Sequence, residues 1–193
     1  MKDNYLPLDI RGGFNHKLFY EEYAEDPIQN SSGLDGLYIC AKENNLNRKL
    51  VSAKGVPFEL CFGEKDNLYG NGQAVQVNEK TDELHFLGFS YFGNMNLKTV
   101  LRMKDGQEKT LDVQMQECSL DCRYDGWFTI FMPEYEKIER VARYVTTGRA
   151  IQPFYLFDRT CNLPQPCEIK EICFSENIFV HILAITIKAA RVN

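Results

Sequence analysis

The stretch Leu97-Lys98-Thr99-Val100-Leu101-Arg102-Met103-Lys104-Asp105-Gly106-Gln107-Glu108-Lys109-Thr110-Leu111-Asp112-Val113-Gln114-Met115 decides the fold class. In its second half Leu111, Val113 and Met115 alternate with Thr110, Asp112 and Gln114, the period of a strand with one apolar face. In its first half Leu97, Thr99, Leu101 and Met103 share a face in the same way. Asp105-Gly106 lies between them, and a tight hairpin turn needs residues that reach positive φ. The stretch therefore reads as a β-hairpin of 97–103 and 109–115, turning on 104–107.

Working outward, the same period marks further strands at Gln73–Val77, Leu84–Tyr91, Trp127–Phe131, Phe154–Phe157, Glu168–Phe174 and Phe179–Ile187. The last is rich in Ile, Val and Phe, and its largely apolar character is the pattern of a central strand buried on both faces. Turn chemistry separates them at Gly12-Gly13, Ser31-Ser32-Gly33, Gly70-Asn71-Gly72, Gly93-Asn94 and Pro164-Gln165-Pro166. Many short strands without helical crossovers predict an all-β, jelly-roll-like antiparallel sandwich. The stretch 133–145 fits two descriptions equally. Pro133, Glu134 and Glu136 resemble a helix start, while Val141, Arg143 and Val145 alternate as a strand would. No repeat or linker divides the chain, so residues 1–193 are expected to form a single domain.

Composition narrows the function. Of 193 residues 44% are hydrophobic and 25% charged, ordinary for a folded domain. Lys and Arg number 22 against 27 Asp and Glu, a net charge of −5. A surface of that sign repels phosphate backbones and anionic lipid, so neither nucleic acid nor membrane is the expected partner. The run Ile178–Ile187 contains His181 and is too short to span a bilayer. Met1-Lys2-Asp3-Asn4 leads to Asp9 and Arg11 without the apolar core of an export signal. The expected location is therefore cytoplasmic, or secreted if the chain is cut from a longer protein.

Of the seven cysteines, Cys40, Cys61 and Cys173 have apolar neighbours and read as small core residues. Cys118 and Cys122, and Cys161 and Cys167, lack the two-residue gap of a zinc knuckle and read as free thiols.

No nucleophile elbow, P-loop, dinucleotide fingerprint or zinc-protease helix is present, and no spacing selects a catalytic carboxylate pair. The chain is expected not to be an enzyme and to need no cofactor. His85 and His181 fall in strand segments, where a hydrogen-bonded core histidine is the ordinary outcome; His16 lies apart from both. Asp35, Asp66 and Asp125 offer hard oxygen ligands, but none falls in a calcium-loop spacing.

Aromatic residues carry more information. The chain holds 13 Phe, 10 Tyr and 1 Trp. Two groups sit beside turns with amide and acid neighbours, Ser90-Tyr91-Phe92-Gly93-Asn94-Met95-Asn96 and Arg123-Tyr124-Asp125-Gly126-Trp127. A flat ring offers an apolar face to the C–H groups of a sugar, while Asn, Asp and Arg bond its hydroxyls. The candidate ligand residues are accordingly Tyr91, Asn94, Asn96, Tyr124, Asp125 and Trp127. Core packing is the competing use for each ring, Trp127 included.

Read in order, several segments form a series. Leu8-Asp9-Ile10 and Phe14-Asn15 come first, then Leu34-Asp35-Gly36-Leu37-Tyr38, Gly55-Val56-Pro57-Phe58-Glu59-Leu60, Asp66-Asn67 and Gly72-Gln73-Ala74-Val75. Leu84-His85-Phe86-Leu87-Gly88-Phe89-Ser90, Gly93, Asp105-Gly106 and Asp125-Gly126-Trp127 follow, and Val180-His181-Ile182-Leu183-Ala184-Ile185-Thr186-Ile187 closes the series. It resembles the carbohydrate-binding-module-like β-sandwich accessory domains of bacterial glycoside hydrolases. The resemblance implies a jelly-roll-like fold and a non-catalytic role in sugar recognition, or in packing against a glycoside hydrolase. Two other functions stay open: an assembly domain that packs on another protein or on its own copy, and a small sugar-active enzyme whose carboxylates the fold would bring together.

Overall fold

A computed structural model describes residues 4–20, 39–40, 48–52, 54–91, 93–118, 136–145 and 151–190. The described strands, in chain order, are β1 (Tyr5–Pro7), β2 (Phe19–Tyr20), β3 (Ile39–Cys40), β4 (Lys49–Val51), β5 (Pro57–Glu59) and β6 (Leu68–Gly70). They continue with β7 (Ala74–Ser90), β8 (Met95–Met103), β9 (Glu108–Met115), β10 (Glu136–Val145), β11 (Ile151–Phe174) and β12 (Asn177–Ala189). Among the described residues the only helical piece is one 3-10 turn, Arg11–Gly13.

β8 and β9 form the expected hairpin, paired without a slip from Met95↔Met115 to Arg102↔Glu108. Gly106 takes φ +86°, and the Asp105 carboxylate accepts the Gln107 N–H at 2.9 Å. Leu97, Leu101, Val113 and Met115 are fully buried, while Lys98, Arg102, Thr110 and Asp112 face solvent. Period two is realised residue by residue.

β12 is an interior strand buried on both faces. β7 flanks it on one edge, and β1 and β6 share the other. Every residue from Val180 to Ile187 is buried. A bulge explains how both faces become apolar: Ile182 pairs with Gly88, but Ala184 pairs with Leu87, leaving Leu183 extra. Val180, Ile182, Ile185 and Ile187 thus enter one hydrophobic cluster, and Leu183 and Ala184 another.

Two further irregularities turn four expected strands into two long ones. Gln73–Val77 and Leu84–Tyr91 belong to the single 17-residue β7. Asn78 there takes φ +57°, and the register against β11 jumps from Glu79↔Ile169 to Gln76↔Glu171. Asn tolerates that left-handed backbone better than most residues. The shift puts Val75 and Val77 in the same cluster as Leu84 and Phe86 despite their opposite parity. Phe154–Phe157 and Glu168–Phe174 likewise belong to the 24-residue β11. Pro164-Gln165-Pro166 bulges out of that strand instead of ending it, so residues 163–166 stand opposite Asp82. Two prolines without N–H donors cannot stay in the ladder.

The layers follow from these faces. β8 pairs with the last residues of β11, and the β8–β9 hairpin covers one face of β7 and β12 around Phe86, Leu101, Val113, Ile172 and Ile185. The separate β4–β5 sheet covers the other face, with Phe58, Val56 and Leu60 against Leu87, Phe89 and Leu183. Each fully buried Phe or Leu contributes about 1.5–3 kcal/mol. Thr186 Oγ1 donates to the Pro57 carbonyl at 2.5 Å and fastens this second layer to β12. The result is an antiparallel β-sandwich.

The helix admitted for 133–145 does not form. Glu136–Val145 is strand β10, antiparallel to the start of β11 from Glu136↔Asp158 to Val145↔Ile151. Ile138, Val141, Tyr144 and Val145 favour extended backbone, and an antiparallel ladder of eight pairs outweighs one proline-led turn. Residues 133–135 and the expected strand Trp127–Phe131 lie outside the described residues.

Candidate functional site

Of the residues expected from the sequence, Tyr91 and Asn94 lie in the turn between β7 and β8 and Asn96 at the start of β8. Tyr91 is half-buried, packs against the second cluster and donates its N–H to the Phe179 carbonyl at 2.9 Å. Asn94 is half-buried too, and its Oδ1 accepts the Glu117 N–H at 3.0 Å. Asn96 is exposed, and its carbonyl accepts from Asn177 Nδ2 at 2.9 Å. Beneath them Ser90 is buried, its hydroxyl 2.6 Å from the Gly93 carbonyl and 2.9 Å from that of Met115. The turn is thus tied down from inside, and Asn96 presents its amide to water. Tyr124, Asp125 and Trp127 lie outside the described residues.

A concave surface lies elsewhere, where residues 7–14 pass the end of the β4–β5 sheet. The cleft measures about 270 Å³ and is lined by Asp9, Arg11, Phe14, Arg48, Glu59 and Cys61, among others. The segment is anchored by the Leu8 N–H to the Ile185 carbonyl at 2.8 Å and by buried Ile10. Gly13 is required there, since an added Cβ would sit 2.8 Å from the Val75 side chain. Phe14 is half-buried and packs on the first cluster, so its ring is fixed.

Asp9 and Arg11 form a planar two-pronged pair, Nε to Oδ1 at 2.8 Å and Nη2 to Oδ2 at 2.5 Å, while the Arg11 N–H also donates to Oδ1. Those hydrogen bonds lower the Asp9 pKa to about 2, and the same pairing raises that of Arg11. Both are more than half exposed, so the pair adds little stability. It presents donors and acceptors to the cleft. On the far wall the Arg48 guanidinium lies 5.8 Å from the centre of the Phe62 ring, a cation–π distance. Glu59 is exposed beside it. The sequence signal for this wall is an acid and an arginine two apart before Gly12-Gly13. No spacing tells that β5 lies across from them.

Two buried polar clusters hold the layers in register. Asp66 accepts the Leu18 N–H at 2.8 Å, the Phe19 N–H at 3.0 Å and Asn67 Nδ2 at 2.9 Å, with Lys17 Nζ at 3.1 Å. Both of its oxygens serve protein donors, which leaves this calcium candidate a structural role. Asp35 and Asp125 lie outside the described residues. Among the described residues no group of three His, Cys, Asp or Glu side chains is placed to hold a metal.

Because Asn67 Nδ2 faces Asp66, its orientation is fixed. Nδ2 then donates to His16 Nδ1 at 3.1 Å, and Oδ1 accepts from His181 Nδ1 at 2.8 Å. The two rings are 5.1 Å apart, and His181 stacks on Phe89 at 4.7 Å. Burial lowers both pKa values, that of His16 to about 4. These imidazoles are neutral core groups.

His85 is held differently, with Nδ1 3.0 Å from Asp158 Oδ1 and Nε2 2.9 Å from Glu83 Oε1. Burial alone lowers its pKa, but the hydrogen bonds and charges of Asp158 and Glu83 outweigh that, and the net shift is upward. His85 and His181 lie on adjacent strands in separate networks.

Cys118 and Cys161 are buried and Cys61, Cys167 and Cys173 half-buried, none of the five in a disulfide. Cys61 and Cys173 therefore sit at the margin of the core rather than in it. Cys122 lies outside the described residues. Burial raises the pKa of Cys161 and Cys173, which keeps both thiols protonated at neutral pH.

The sequence matches no family model, and no curated protein is similar to it.

Proposed function

We propose that this chain is a non-catalytic binding module for carbohydrate and that the cleft beside Arg11 takes one sugar residue. The observation that carries the reading is that the two-pronged Asp9–Arg11 pair and the half-buried Phe14 ring line the same cleft. Adjacent sugar hydroxyls present paired donors and acceptors, which a planar guanidinium–carboxylate unit matches with its remaining groups. The ring supports the apolar C–H face of the sugar. Because the Phe14 ring is already packed on the core, less ordering entropy opposes binding. The volume falls just below the ~300 Å³ at which pockets for larger ligands begin, which suits a single terminal residue.

A wider cleft of about 560 Å³ lies beside the β8–β9 turn, but lysines, acids and amides dominate its lining and no ring faces it. It fits a sugar less well. A glycan array probed with the full chain tests the reading. Array ligands are expected to bind the native protein and to bind Arg11→Ala about tenfold or more weakly, the equivalent of a charged hydrogen bond. Absence of binding to any saccharide overturns it.

A further inference from the structure

The turn Gly70-Asn71-Gly72-Gln73 joins β6 to β7 and leaves a chemically reactive pair open. Asn71 and Gly72 are both exposed. Gly72 takes φ +76°, and a Cβ built on it would meet nothing within 4 Å. The hydrogen bonds of the turn bypass the reacting groups. The Asn71 N–H donates to Gln73 Oε1 at 2.7 Å, and Gln73 Nε2 donates to the Tyr69 carbonyl at 2.8 Å. Among the described residues neither the Asn71 carboxamide nor the Gly72 N–H has a hydrogen-bond partner. Gln73 thus straps the two sides of the turn while the 71–72 peptide stays free to rotate.

We propose that Asn71 is a modification site at which the protein deamidates spontaneously, with water as co-reactant. The Gly72 amide nitrogen loses its proton and attacks Asn71 Cγ, forming an N–Cγ bond. The Cγ–Nδ2 bond breaks, and Nδ2 leaves as ammonia after taking up a proton. Water then adds to one of the two carbonyls of the cyclic imide and opens the ring. Opening at the side-chain carbonyl gives an ordinary aspartate in place of Asn71; opening at the main-chain carbonyl gives the isoaspartyl linkage. No electron is transferred. Each product adds one negative charge, and the isoaspartyl form also inserts a methylene into the backbone beside Gly70. That glycine is packed tightly, since a Cβ on it would lie 2.3 Å from the Ser175 carbonyl oxygen.

Neighbouring turns show what protection looks like. In Asp105-Gly106 the glycine N–H is bonded to the Met103 carbonyl at 3.1 Å, and the aspartate is occupied by the Gln107 N–H. Asn15 and Asn67 have their amides engaged at 3.0 Å and 2.8 Å. Asn78, Asn96 and Asn162 are exposed but precede Glu79, Leu97 and Leu163, whose side chains crowd the attacking nitrogen. Asn71 combines an exposed amide, an open N–H and a following glycine.

The test incubates the full chain at mildly alkaline pH, folded and in urea, and follows each asparagine by peptide mass spectrometry. Isoaspartate is counted by methyl transfer from S-adenosylmethionine with an isoaspartyl methyltransferase. Asn71 is expected to convert first among the described asparagines, in the folded protein as fast as in urea. Asn71→Gln is expected to remove the methyl-accepting signal from this peptide. An Asn71 that stays intact in the folded protein while converting in urea overturns the proposal, as does another described asparagine converting first.

Discussion

His85 Nδ1 lies 3.0 Å from Asp158 Oδ1 with both side chains sealed from solvent, and this contact binds β7 to β11 at the middle of the sandwich. A buried charge that loses its partner is strongly destabilising. Asp158→Ala is therefore expected to lower unfolding free energy by about 3–5 kcal/mol in urea titration. A His85→Leu, Asp158→Leu double variant is expected to be more stable than the sum of the two single changes implies. A loss under about 1 kcal/mol for Asp158→Ala would mark the pair as an exposed-type bridge.

The histidines give stability two opposed pH limbs. The folded pKa of His85 is raised, so its contribution is full below the unfolded value of 6.5 and is lost as pH rises through the folded one. Those of His16 and His181 are lowered, so theirs is present above 6.5 and is lost as pH falls, towards about 4 for His16. Melting temperature is expected to fall on both sides of a maximum near neutrality. His85→Leu is expected to flatten the alkaline limb, and a variant that keeps that limb unchanged would contradict the assignment.

Asp66 is expected to tolerate an amide better than a truncation. Asp66→Ala strands the buried N–H groups of Leu18 and Phe19, each worth about 1–3 kcal/mol when left unbonded. Asp66→Asn keeps one oxygen for them. Equal destabilisation of the two variants in denaturant titration would show that these amides do not depend on Asp66.

Two glycines should behave oppositely. A Cβ at Gly88 would lie 2.2 Å from the His181 carbonyl oxygen, a backbone atom in the middle of the β7–β12 ladder, whereas one at Gly12 meets nothing. Gly88→Ala is expected to destabilise by about 1–3 kcal/mol or more through overpacking. Gly12→Ala is expected to leave the melting temperature essentially unchanged. Similar melting temperatures for both variants would refute the close approach.

Much of this architecture is legible in the chain. Leu97–Met115 announces its hairpin because alternation and an Asp-Gly turn agree, and Phe179–Ile187 announces a strand buried on both faces because all but His181 and Thr186 are apolar. The long strands β7 and β11 hide because Asn78 and Pro164–Pro166 each shift the alternation. β10 is ambiguous because Pro133, Glu134 and Glu136 at and before its start carry helix-start chemistry while its pairing partner lies downstream at 151–158. At the candidate site the aromatic-and-amide signal at Tyr91–Asn96 marks a real turn, but Tyr91 and Asn94 are drawn into holding it. The Arg11 cleft escapes sequence reading because its walls, 9–14 and 48–61, meet only through the fold.

The most direct measurement of the saccharide reading is a titration of the full chain with an array-selected sugar, followed by backbone amide NMR shifts in the native protein and in Arg11→Ala. Saturable shifts confined to Asp9, Arg11, Phe14, Glu59 and their neighbours, lost in the variant without a change in melting temperature, are the predicted result. Shifts that ignore this cleft, or binding that Arg11→Ala leaves intact, would contradict it.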